Sequence, residues 1–98
     1  WDKPAFACLS SRFPYGTAIT PDRVRQVGLA EEALRELGFR TLRVRYHGDV
    51  ARLELGLEEF SHAVGGLRDD VVARVKGAGF AYVALDLQGY RTGSMNEV

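Results

Sequence analysis

Cysteine is nearly absent from this sequence, with one residue in 98. A lone thiol cannot close an internal disulfide, which fits a reducing compartment and sets the expectation of a cytoplasmic protein. Charge of either sign is not in excess: thirteen basic residues face thirteen acidic ones, for a formal net charge of zero. No global field therefore draws the chain onto nucleic acid or an anionic membrane, and any anion it binds must be held locally. No apolar run approaches the roughly 20 residues that span a bilayer, and no secretory signal pattern is present. There is no Walker loop, nucleophile elbow or dinucleotide fingerprint. The two histidines, His47 and His62, have no spacing that resembles a metal-ligand set, so no metal site is expected.

What remains is the composition of an ordinary small globular domain, 46% hydrophobic and 27% charged, with no interior linker or repeat. Base rates leave room for one domain over residues 1–98, burying roughly 60–65% of its unfolded surface. The chain opens at Trp1 without an initiator Met, directly before a dense motif, and reads as a piece of something longer.

The first nineteen residues show no clean periodicity and carry Pro4, Pro14 and Gly16, which predicts an irregular segment. Thr20-Pro21 is a helix start, a hydroxyl N-cap followed by proline at the first helical position. Val24, Val27, Ala30, Leu34 and Leu37 recur at helical spacing before Gly38. Residues 39–46 then alternate, with Leu42, Val44 and Tyr46 on one side and Thr41, Arg43 and Arg45 on the other. After the turn His47-Gly48-Asp49, Val50 to Leu55 alternates again with Ala51, Leu53 and Leu55 apolar. The pair predicts a β-hairpin with Arg43, Arg45, Arg52 and Glu54 on the face away from the core. Short helical stretches follow over Leu57–Val64, broken by Gly65-Gly66, and over Asp69–Gly77. A third strand is expected over Ala81–Leu87. The fold class is α+β, a small two-layer sandwich of about three strands with helices on one face, in the order α-β-β-α-β.

Two features carry chemistry. Cys8 precedes Arg12 by four residues, and a nearby guanidinium favours the reactive thiolate; buried free cysteine packing as a small hydrophobe is the plainer alternative. Arg43 and Arg45, two apart on a strand, point the same way and could clamp a phosphate or carboxylate. The plainer alternative there is a surface face with one of them paired to Glu54. His47 reads as an exposed turn residue, and Asp69-Asp70 as favourable charges at a helix start.

The segments KPAFACLSSRFPYG, ELGFRTLRVRYHGDVARLEL and GFAYVALDLQGYRTGSMNE resemble, in order and spacing, the C-terminal half of the LarE family. These are the ATP-dependent sacrificial sulfur transferases of nickel-pincer nucleotide cofactor biosynthesis, associated with lactate racemase maturation. The CLxSRFPYG stretch and the RVRxHG hairpin are the specific parts. The resemblance implies a longer protein with an N-terminal PP-loop ATP pyrophosphatase domain, which would use ATP and Mg to adenylate a carboxylate on a pyridinium mononucleotide. The Cys8 thiolate would attack the activated carbonyl and expel AMP. Cleavage of its Cβ–S bond would then leave a thiocarboxylate on the substrate and dehydroalanine in the chain. By the same match Ser11, Arg12, Arg43 and Arg45 would hold the substrate phosphate, while Glu31 and Glu54 would help proton transfer or orientation. The PP-loop has no counterpart in these residues, so ATP hydrolysis is expected to need the ATP-binding domain in the same or a separate chain. A single cysteine favours the sacrificial branch over the branch that relays sulfur through a three-cysteine iron–sulfur cluster. A homo-oligomer is expected, without nucleic acid or membrane partners.

The rival reading is a non-catalytic anion-binding or oligomerisation module, with Cys8 structural and the arginines in surface ion pairs. A donor thiol is accessible and low in pKa, whereas a structural one resists alkylation in the native state.

Overall fold

The computed structural model describes residues 12–14 and 16–90. Helix α1 spans Pro21–Glu36, and Thr20 caps it through its hydroxyl, which accepts from the Arg23 N–H at 3.2 Å. Its end is a Schellman closure. The Gly38 N–H donates to the Arg35 carbonyl at 3.0 Å and the Phe39 N–H to the Leu34 carbonyl at 3.1 Å, satisfying carbonyls the helix leaves open. Gly38 takes φ +104 there, a conformation other residues adopt at a cost.

Strands β1 (Leu42–His47) and β2 (Val50–Leu55) form the expected antiparallel hairpin, with Arg43 opposite Glu54 and Arg45 opposite Arg52. The turn is narrower than the sequence suggested, because His47 still pairs with Val50. Gly48 and Asp49 alone make the turn, and only Gly48 has positive φ, at +63, the pattern of a type II′ hairpin. The stretch after β2 divides into a 3-10 turn at Leu57–Glu59 and helix α2 at Phe60–Val64. Helix α3 spans Arg68–Gly77, with Asp69 and Asp70 in its first turn.

Strand β3 (Tyr82–Leu85) pairs parallel to β2, giving the sheet order β1-β2-β3. It stops short of Leu87 because the Asp86 carboxylate accepts from the Gln88 N–H at 2.9 Å and closes an Asx turn, a local bond that competes with strand pairing. Leu87 is 80% exposed in that turn. The chain rejoins β2 at Tyr90, whose N–H donates to the Leu55 carbonyl at 2.7 Å.

All three helices lie on the face of the sheet formed by Leu42, Val44 and Tyr46 with Ala51, Leu53 and Leu55. Val27, Ala30 and Leu34 of α1, Ala63 of α2 and Val71 and Val75 of α3 complete that core. The α+β sandwich and its element order are as the sequence predicts.

Candidate functional site

Opposite the helices, the sheet carries Arg43, Arg45 and His47 from β1, Arg52 and Glu54 from β2, and Asp86 and Tyr90 from the turn beyond β3. This is the face away from the core that alternation predicts, and it is not the solvated surface of the plainer alternative. The Glu54 side chain is only 4% exposed, and Arg45 grips it through Nε at 2.9 Å and Nη2 at 3.5 Å. Register alone would set Arg43 against Glu54, yet the diagonal partner takes the carboxylate. Arg52 reaches the same carboxylate at 3.5 Å and Asp86 at 3.7 Å. The pairs are close enough to matter because burial removes the competing water.

Arg43 is different. It has no carboxylate partner among the described residues. Its Nη2 donates to the Tyr90 hydroxyl at 3.2 Å, and its guanidinium lies 5.0 Å from the centre of the Tyr90 ring, within cation–π range. Nε and Nη1 are buried without a hydrogen-bond partner among the described residues. Among the described residues of this face, Arg45 and Arg52 have carboxylate partners and Arg43 has none.

His47, at the exposed end of β1, has its pKa lowered from the usual value by burial and then by the positive charges of Arg52 and Arg45. It is a reporter of the field on this face. His62 lies on α2, and among the described residues no three His, Cys, Asp or Glu gather as metal ligands. No described helix is long and apolar enough to cross a membrane.

A second cluster sits at the free edge of β1. In an antiparallel pair every second N–H points away from the partner strand. Here the Val44 N–H donates to the Glu31 carboxylate at 3.0 Å, and the Tyr46 N–H to the Arg12 carbonyl at 2.6 Å. Glu31 also receives Arg12 through Nε at 2.9 Å and Nη2 at 3.2 Å. The edge that could pair with another strand is thereby occupied. Phe13 follows into the core and packs on Tyr46 with ring centres 5.2 Å apart. Arg12 and Phe13 are thus fastened to the sheet.

The sequence-predicted residues fall into these two groups. Arg43, Arg45 and Glu54 share the outer face, while Arg12 and Glu31 meet at the β1 edge. Cys8 and Ser11 lie outside the described residues. Sequence reasoning placed Arg52 on the outer face but gave it no role, and it did not single out Tyr90 or Asp86. The only signal for Tyr90 was Gly89 before it, a glycine in a tail that otherwise reads as irregular. A separate groove of about 480 Å³ between α1 and α3, opened by the small residues Ala33, Ala73, Gly77 and Ala78, contains none of these residues.

The class defined by these features is a small α+β unit with an arginine-rich sheet face and Arg12 and Phe13 fastened at the β1 edge. No protein-family model matches the chain. It is 46% identical over its full length to an uncharacterized Synechocystis protein, slr1717, of which it spans 37%. It is 47% identical over 99% of its length to the pyridinium-3,5-bisthiocarboxylic acid mononucleotide synthase of Lactiplantibacillus plantarum, of which it spans 35%. The resemblance to the LarE family read in the sequence is borne out, and the chain covers about a third of the length of these relatives.

Proposed function

We propose that this chain is the sulfur-donor and substrate-phosphate region of a cytoplasmic, ATP-dependent sulfur transferase in nickel-pincer cofactor biosynthesis. The observation that carries this reading is the 47% identity, over 97 residues, to a synthase of a bisthiocarboxylic pyridinium mononucleotide. In this reading Cys8 is the donor. Its thiolate attacks the carbonyl of a substrate carboxylate that arrives as an acyl adenylate, forming a thioester and releasing AMP. Loss of the Cys8 Cα proton and cleavage of Cβ–S then leave dehydroalanine in the chain and both bonding electrons on the thiocarboxylate sulfur.

Arg43 and Arg45, with Ser11 and Arg12, are the proposed phosphate ligands. Glu54 and Glu31 are each closed into an arginine ion pair, so their part is to orient those arginines rather than to shuttle protons. The described residues offer neither a carboxylate set for Mg nor a glycine-rich phosphate cradle. ATP and Mg therefore do not fit here and belong to the proposed PP-loop domain, with no step of theirs assigned to these side chains. A homo-oligomer that brings the two parts together completes the proposal.

The rival module expects every arginine of the face to be spent in ion pairs. Among the described residues Arg45 meets that expectation and Arg43 does not, which favours anion binding over an oligomerisation module, while the fate of Cys8 separates a donor from a non-catalytic anion-binding module. The test is intact mass, with the protein joined to its ATP-binding part and given ATP, Mg and the pyridinium carboxylate mononucleotide. A loss of about 34 Da, the mass of hydrogen sulfide, localised to Cys8 is expected from the elimination. Turnover with Cys8 at unchanged mass would mean that the sulfur comes from elsewhere.

A further inference from the structure

The sheet has two outer edges, and among the described residues only one of them is closed. The β1 edge is taken by the Glu31 carboxylate and the Arg12 carbonyl. No described residue pairs with the β3 edge from outside. On its inner side, the Tyr82 N–H donates to the Asp49 carbonyl at 3.0 Å and the Asp86 N–H to the Leu53 carbonyl at 2.8 Å. Strand alternation therefore turns the N–H and C=O groups of Val83 and Leu85 outward, away from β2. Lysine, proline, bulges and shortness are the usual guards of such an edge. Tyr82–Leu85 is short, at four residues, but carries no charge and no proline. Its side chains are open as well: Tyr82 is 65% exposed, and Val83 and Leu85 are only partly buried against the core. Beside them lies a shallow apolar groove of about 110 Å³, walled by Val64 and Val72 of the helices.

We infer that the β3 edge pairs with the β3 edge of a second copy of this chain, antiparallel and about a two-fold axis at Ala84. The backbone selects this register. With the axis there, Val83 stands opposite Leu85 of the second copy, and their outward N–H and C=O groups satisfy one another. An axis at Val83 would instead set Leu85 against Ala81, whose N–H is already given to the Asp49 carbonyl at 2.9 Å. The side chains agree with the axis at Ala84. On the helix side Val83 meets Leu85, apolar against apolar, beside the groove. On the outer side Ala84 meets Ala84, small enough to let the strands close, and Tyr82 meets Asp86 of the second copy. Asp86 is the carboxylate that reaches Arg52, at 3.7 Å, so the second copy brings its Tyr82 to the rim of the arginine-rich face. Because the β1 edge is closed, a two-fold contact at β3 leaves no free edge along which pairing could continue. The inference rests on the homo-oligomer of the proposed function and gives it a surface.

The experiment measures the mass of the full chain in solution against concentration by sedimentation equilibrium, with amide hydrogen exchange alongside. The unmodified chain should associate in pairs, with the Val83 and Leu85 amides gaining protection as concentration rises. Ala84→Lys and Ala84→Glu each set like charges face to face at the axis and should weaken pairing about tenfold or more. Mixing the two variants should restore it, because opposite charges then meet there. A chain that stays monomeric would overturn the inference together with the homo-oligomer. Association that both substitutions leave intact would overturn the inference alone, with the homo-oligomer built elsewhere. Val83 and Leu85 amides protected equally at every concentration would mean that another segment of the same chain fills the edge, which also overturns it. The sulfur-donor reading stands or falls separately, on the mass change at Cys8. Should the variants fail to fold, hydrogen exchange on the unmodified chain decides.

Discussion

Glu31 and Arg12 meet in a two-point ion pair, at 2.9 and 3.2 Å, although 19 residues separate them. The carboxylate comes from the third turn of α1, and a third bond ties it to the Val44 N–H of β1. One side chain therefore joins helix, sheet edge and Arg12. Removing one partner of a buried pair leaves the other bare, which typically costs about 3–5 kcal/mol. Glu31→Ala should lose stability approaching that order in denaturant unfolding, because Arg12 loses its two-point contact with this carboxylate and the Val44 amide loses its acceptor. Arg35→Ala should cost less than about 1 kcal/mol, since Arg35 is 57% exposed and 3.6 Å from Glu31. Equal effects would show that the edge cluster carries no special weight.

The two arginines of β1 should separate in the same way. Arg45→Ala strands Glu54 with only the looser contact to Arg52, so it should destabilise by about 2–4 kcal/mol. Arg43→Ala removes two donors that have no partner among the described residues, along with the contact to Tyr90, and these nearly offset, for a change under about 1 kcal/mol. Phosphate binding should rank them the other way, with Arg43→Ala losing the most. A calorimetric titration beside thermal melts of both variants checks the crossing, and a single common ranking would count against it.

Much of this was legible in the sequence. The Thr20-Pro21 start, the Gly38 stop and the two alternating runs fixed α1 and the hairpin, because capping chemistry and the two-residue period are local signals. The outer face followed from the same alternation. Its burial did not, because Glu54 is covered by arginines whose direction depends on the choice between opposite and diagonal partners. Leu87 was misassigned to β3 since alternation continues through it, while a single Asp86 side-chain bond decides the turn. Glu31 was placed by resemblance, but no periodicity could say that its carboxylate caps a strand edge. Long-range polar partners are the part of a fold that composition and spacing leave open.

His47 gives a pH signature. Burial and the charges of Arg52 and Arg45 hold its pKa below the unfolded value near 6.5. The unfolded chain therefore takes up the proton first as pH falls. Its contribution is most favourable above about pH 6.5, declines as pH drops from there to the folded pKa, and is flat below. The melting temperature of the parent chain should fall across that window more than that of His47→Gln. Bound phosphate should oppose the arginine charges and raise the His47 pKa, visible in an NMR titration of its ring protons. A His47 that titrates identically with and without saturating phosphate would place the anion elsewhere.

Gly89 decides whether Tyr90 can reach Arg43. Its φ is +79, and a Cβ there would lie 2.8 Å from Leu57 Cδ2 and 3.0 Å from the Leu55 carbonyl oxygen. The oxygen belongs to the backbone of β2 and accepts the Tyr90 N–H, so it cannot yield without losing that bond. Gly89→Ala should therefore cost more than the roughly 1 kcal/mol of left-handed strain alone. Gly48 provides the control: its φ is also positive, at +63, but a Cβ would meet nothing within 4 Å. Gly48→Ala should show only the strain. The functional consequence differs as well, because shifting the turn draws the Tyr90 ring off the Arg43 guanidinium. In Gly89→Ala the Arg43 Nε–H resonance should lose its ring-current shift and exchange faster with water, while in Gly48→Ala it should stay in place. An unchanged Arg43 signal in a folded Gly89→Ala chain would mean that Tyr90 finds its position without this turn.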